Sequence, residues 1–138
     1  MVSRAGLAYS VPMEGRITRL GPTPDAFDLE DAVVGVHFLL TGVASCGSGP
    51  LAFLVDEALG PRTFTAAEAS AIADAVESIV VRVVRARLDS DALAALPPFD
   101  GRRLADDDKE WLLAVLQGVM AFMRGAASET AAVQITLS

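Results

Sequence analysis

This chain of 138 residues carries one cysteine, one histidine and one lysine. Each scarcity excludes something. A lone thiol, Cys46, cannot build an internal disulfide framework. One histidine and one cysteine cannot supply the usual ligand set of zinc. Positive charge is also scarce: 11 Lys and Arg stand against 18 Asp and Glu, a formal charge of -7. A nucleic-acid backbone is repelled on average by such a surface, and no basic run or aromatic platform offsets this. No uninterrupted apolar run approaches the roughly 20 residues that span a bilayer. No apolar stretch of the signal-peptide kind follows Arg4, so neither a membrane span nor a secretory leader is expected. The expectation is a soluble, cytoplasmic protein without nucleic-acid or membrane partners.

What is present fits a globular domain. Hydrophobic residues make up 52% and charged residues 21% of the chain, outside the range of disordered segments. The length suits one domain, residues 1–138, large enough to form a core without staples.

The stretch from Asp28 to Gly42 holds the only histidine and reads as the central helix. Asp28 suits an N-cap, and Glu30 and Asp31 favour the positive end of a helix dipole. Leu29, Val33, Val36 and Leu40 follow one helical face, with Val34, Phe38 and Thr41 beside it. Gly42 suits the left-handed position after a helix.

Around this helix the pattern alternates between extended and helical. Residues 4–11 alternate as a strand, and 13–20 fit a short helix or a strand equally well. Gly21-Pro22-Thr23-Pro24 is a breaker. After a Gly/Ser loop, Pro50 suits the first position of a helix over 51–59, though that apolar run also fits a buried strand. Residues 62–64 read as an edge strand. Thr65-Ala66-Ala67-Glu68 is a capping box, opening what reads as the longest helix, to Arg87, with Ile72, Val76, Ile79, Val80 and Val83 as its buried stripe. Asp89 or Ser90 caps a short helix stopped by Pro97-Pro98. Asp106-Asp107-Asp108 opens the last helix, which Gly125 is expected to end. Residues 131–137 alternate as a half-buried strand. The expected fold is therefore α+β: a small mixed sheet from the N- and C-terminal strands, packed with four to five helices.

His37, Leu40, Thr41 and Gly42 stand at the spacing of a motif close to Asp-Lys-x-Trp-x-x-apolar-His-x-x-Leu-Thr-Gly. On these residues the chain resembles the YfbM-like family, small bacterial proteins of unknown function. The resemblance extends to Gly6, Gly49-Pro50-Leu51, the segment 89–96, and Ala121-Phe122 through the last strand. The family's lysine position holds Asp31 and its tryptophan position Val33, so no role resting on those two side chains carries over. The resemblance implies an α+β fold and no activity.

Candidate sites are weighed against simpler readings. A lone histidine in an apolar helix is usually hydrogen-bonded within the core and neutral. A Cys46–His37 nucleophilic dyad is disfavoured because Cys46 follows a helix C-terminus, where the dipole opposes a thiolate. The loop 42–49 lacks the Lys-Ser/Thr of a phosphate loop. Asp106, Asp107 and Asp108 are better read as helix-start carboxylates than as ligands of a hard cation. Asp25, Asp28, Glu30 and Asp31 are read in the same way, or as facing a basic partner. Met120 and Met123 are read as core filling.

No catalytic residue, metal ligand or cofactor is expected. The leading expectation is a non-enzymatic protein-interaction module, immunity-type or regulatory, acting on a protein partner or through self-association. The alternative is a small-molecule binder or hydrolase with a pocket beside His37 and the loop 41–49, and His37, Thr41 and Gly42 as ligand-binding candidates.

Overall fold

Between Gly15 and Glu30 it is alternation with period two, not helical spacing, that decides the structure. The computed structural model describes residues 13–56 and 61–138, so the strand expected over 4–11 and the match at Gly6 lie outside the described residues. Strand β1 (Gly15–Arg19) turns at the Gly21 breaker into β2 (Asp25–Glu30). Ile17 pairs with Phe27 and Arg16 with Asp28. Phe27 and Leu29 thus point to the interior, while Asp28 faces out and meets Arg16 at 2.5 Å.

The expected helix start at Asp28 is therefore corrected. Helix α1 runs from Val33 to Thr41, Ala32 is its cap residue, and no acid lies in its first turn. Leu29 is buried, as its place in the apolar stripe required, but from a strand. The helix is central: every residue from Val33 to Leu40 is buried. Gly35 lets it approach the last helix, since a Cβ there would sit 2.8 Å from a methyl of Leu112.

The apolar segment after Pro50 forms only a 3-10 turn, Pro50–Ala52. Phe53, Leu54 and Val55 then run buried without helical hydrogen bonds, so the helix expected over 51–59 is not formed there; residues 57–60 are outside the described residues. Strand β3 (Arg62–Phe64) leads into α2 (Ala66–Glu77), whose capping box closes through Glu68 N–H to Thr65 at 3.1 Å and Thr65 N–H to Glu68 at 2.8 Å.

The helix expected to continue to Arg87 breaks after Ser78. Val80 is extended, and α3 (Val81–Leu88) starts in a new direction. The β-branched run Ile79-Val80-Val81 is a poor helix continuation. The break turns Val84 and Leu88 inward against α1 and leaves Val80, Val81 and Val83 exposed at 57%, 64% and 39%. Val80 and Val83 thus leave the buried stripe assigned to them.

Helix α4 (Asp91–Ala94) is capped by Ser90, which accepts the Ala92 N–H at 3.1 Å. The longest helix is α5 (Asp106–Ser128), which runs three residues past Gly125. Its length and composition alone would allow a membrane span. In this fold Leu112, Leu116, Val119, Met123 and Ala126 are its buried face, and it packs chiefly on α2. Strand β4 (Val133–Leu137) returns between β1 and β3.

The order β2-β1-β4-β3 gives a four-stranded sheet in which every pairing among the described residues is antiparallel, so the mixed character expected of it is not seen there. Ile17, Val133, Ile135 and Leu137 face the helices. Arg16, Thr18, Gln134 and Thr136 form the opposite face. The α+β class stands, with five helices among the described residues.

Candidate functional site

His37 sits in the second half of α1 and is fully buried. The loop after the helix folds back so that Cys46 lies opposite Val55. Cys46 N–H donates to the Val55 carbonyl at 2.8 Å. The return bond of an antiparallel pair, Val55 N–H to the Cys46 carbonyl, is replaced by the imidazole. Val55 N–H donates to Nδ1 at 3.1 Å, and Nε2 lies 2.9 Å from the Cys46 oxygen. A backbone amide can only donate, so Nδ1 is unprotonated and Nε2 carries the proton. The ring is neutral and bridges two backbone segments. Burial is the main cause that pushes its pKa below the usual histidine value; the Cys46 carbonyl opposes the shift, and Arg62 adds to it.

Thr41 and Gly42 finish the same helix. The Thr41 hydroxyl lies 2.9 Å from the His37 carbonyl, to which it donates, and accepts the Val43 N–H at 3.2 Å. Gly42 adopts φ 84°, and its N–H bonds to the Phe38 carbonyl at 2.7 Å. Only glycine takes that conformation without a steric cost. Arg87 of α3 closes the end by donating to the Leu39 carbonyl at 2.9 Å. The three residues singled out by sequence are therefore close together, as one helix terminus and the clip beneath it. Both imidazole nitrogens are engaged with backbone groups, and neither faces a cleft.

Cys46 approaches His37 through its carbonyl, not its sulfur. Its Sγ lies 3.7 Å from Asp56 Oδ1, so thiol and imidazole are not arranged as nucleophile and base. At the start of α5, Asp108 accepts the Ala105 N–H at 2.8 Å and an Arg102 N–H at 2.9 Å. Those two contacts, the amide first, hold its carboxyl below the usual range. Asp28 is paired with Arg16 across the sheet, and Asp25 lies 4.0 Å from Arg19.

Two features carried no clear sequence signal. One is Arg62 on β3. Its Nη2 donates to the Leu54 carbonyl at 2.6 Å, and its guanidinium lies 5.8 Å from the Phe64 ring centre. Its Nε is buried without a hydrogen-bond partner among the described residues. It lines a cleft of about 320 Å³ between the 3-10 turn, β3 and α2, with Phe53, Phe64 and Ile72 as apolar walls. An arginine just after Gly60-Pro61 in the sequence looks like an ordinary edge residue, and only the fold places it against this cleft. The other is the exposed valine group at the start of α3. Arg82 and Arg85 stand there, also exposed, and neither is paired among the described residues. Its sequence, Val81-Arg82-Val83-Val84-Arg85, has an apolar spacing that a continuous helix would equally bury, so exposure is not legible in it.

No protein-family model matches the chain, and no curated protein matches it. Among solved structures it is similar to the crystal structure of YfbM from Escherichia coli, a protein of unknown function. The TM-score is 0.71 at 13% identity, covering 91% of this chain and 99% of that one. At that identity the likeness establishes the fold: the chain has a YfbM-like α+β fold along nearly its whole length.

Proposed function

We propose that this protein acts without catalysis, as a module that binds an acidic protein surface through the start of α3. The observation that carries this reading is the exposure of Val80, Val81 and Val83, at 57%, 64% and 39%, beside two arginines that are unpaired among the described residues. Three neighbouring exposed valines lose unfavourable contact with water on docking. Arg82 and Arg85 set the sign of the partner, and steer its approach through an otherwise acidic field. The chain's overall charge of -7 limits non-specific contact with acidic polymers, so the local face must select its partner by shape as well as charge. Such a surface suits a regulatory role. An immunity-type role would draw instead on the acidic remainder of the molecule.

The test compares the wild-type chain with a Val81→Asp/Arg82→Glu double variant, both changes lying on exposed positions. Each is used to capture partners from a lysate of the source cells, and each is sized by light scattering. The reading expects an acidic protein retained by the wild type, released by high salt and absent from the variant. Identical retention by both, or a dimer that persists in the variant, would overturn it.

A further inference from the structure

We propose that the cleft between the 3-10 turn, β3 and α2 binds a small monocarboxylic acid with an aromatic or branched aliphatic body, the carboxylate on Arg62 and the body against Phe53, Phe64 and Ile72.

The first support is an unsatisfied donor. Nη2 of Arg62 is held by the Leu54 carbonyl at 2.6 Å, which fixes the guanidinium in place. Its Nε nevertheless has no hydrogen-bond partner among the described residues. Buried polar groups in folded proteins are nearly always hydrogen-bonded, so this guanidinium has bonding capacity left unused, and its residue lines the cleft. A carboxylate is the acceptor that matches the planar fork of a guanidinium.

The second support is the shape and lining of the cleft. About 320 Å³ is the lower end of the size range of small-molecule sites, enough for a single ring or a short branched chain. Phe53 and Ile72 are almost fully buried and form a rigid floor. The lining combines apolar walls with one cation, and one carboxylate, Glu68, at the edge; a polar group beside apolar walls is the pattern that orients an apolar ligand. Burial weakens the hold of Arg62 on its proton, with Asp56 and Cys46 opposing the shift, so the charge is already partly stripped of water.

The rim sets selectivity. Glu68 borders the cleft with its carboxylate committed to the Thr65 N–H at 2.8 Å. A ligand with a second negative charge would meet it, which favours monocarboxylates. A larger hollow on the outer face of the sheet, about 400 Å³, is lined by Glu14, Asp28 and Glu30 with Arg16 as its one cation, already paired with Asp28, so it disfavours the same ligand.

Phenylacetate and its neutral amide, phenylacetamide, are the probes, each titrated at neutral pH into the full chain followed by amide NMR. The expected result is saturable shifts at Phe53, Phe64 and Ile72 with phenylacetate, and affinity about tenfold weaker or less for the amide. Arg62→Met should abolish acid binding. Since Arg62 also supports Leu54, a second variant, Ala71→Trp at the exposed rim, should block the cleft with Arg62 intact. The Val81→Asp/Arg82→Glu variant should bind phenylacetate unchanged, which separates this site from the docking face. Equal binding of acid and amide, shifts centred on Arg82 and Arg85, or no shifts with phenylacetate would overturn the assignment.

Discussion

The backbone N–H of Val55 donates to Nδ1 of His37 across 3.1 Å, inside a core where the imidazole is fully buried. Through its other nitrogen the ring reaches the Cys46 carbonyl at 2.9 Å. One side chain thus completes the pairing of two loop segments that would otherwise leave a buried donor and a part-buried acceptor unmatched. The only histidine of the chain is explained as a connector, and its placement gives the first two predictions.

Replacing His37 by phenylalanine keeps most of the volume and removes both contacts. Each orphaned buried polar group costs about 1–3 kcal/mol, so a total loss of about 3 kcal/mol is expected. For a domain of this size that is a fall in Tm on the order of 10 °C. His37→Gln should recover part of it. Thermal unfolding followed by circular dichroism measures both; a variant melting with the wild type would remove the connector role.

Acid should weaken the same clip. The folded-state pKa of His37 lies below its ordinary value of 6.5, so the neutral ring is the form the fold favours. Its contribution is complete above pH 6.5 and is lost as the pH falls from there through the folded-state value. The stability difference between wild type and His37→Phe should therefore narrow on acidification in that window. Glu77, Asp89 and Asp108, whose carboxyls are held below the usual range, lose their contributions only at lower pH. Urea midpoints at a series of pH values separate the two windows.

Two glycines should respond with opposite signs. Gly125 lies within α5, and a Cβ there would meet nothing within 4 Å. Gly125→Ala should stabilise the protein by about 0.5–1 kcal/mol through helix propensity. Gly42 sits at φ 84°, and an added Cβ would lie 3.2 Å from the Arg87 guanidinium. Gly42→Ala should destabilise by about 1–2 kcal/mol. Denaturant titration of the two variants checks both signs.

Arg124 joins α5 to α2 by bonding Glu77 and Asp74, each at 2.7 Å. The groups are solvent-exposed, so salt screens the interaction. Arg124→Ala should lower the Tm by less than His37→Phe does, and the loss should shrink as salt is added. A loss independent of salt would point to packing by the arginine stem instead.

Where one local signal dominated, the sequence was readable. The Thr65–Glu68 capping box, Ser90 as a cap, Gly42 after α1, the edge strand Arg62–Phe64 and the alternating strand Val133–Leu137 are all formed as expected. Readings failed where two signals overlapped. In Asp25–Glu30 the acids suggested a helix start, yet Phe27 and Leu29 alternate with Asp28, and pairing with β1 decides the outcome. Between Glu77 and Val81 the apolar spacing persists through a break, so the exposure of Val80 and Val83 could not be seen. Of the candidate site, the grouping of His37, Thr41 and Gly42 was legible because they share one helix end. The role of the imidazole was not, because Cys46 and Val55 meet it only through the folding of two loops. Arg62 was missed for the same reason: its environment comes from Leu54, Phe53 and α2, none of them adjacent to it in sequence.

The central claim, that His37 is a neutral backbone connector, is tested most directly by nitrogen-15 NMR of its imidazole as the pH is lowered. The account predicts a single neutral form with the proton on Nε2, persisting below pH 6.5, the ordinary histidine value. A ring that titrates at that ordinary value, or carries its proton on Nδ1, would contradict it.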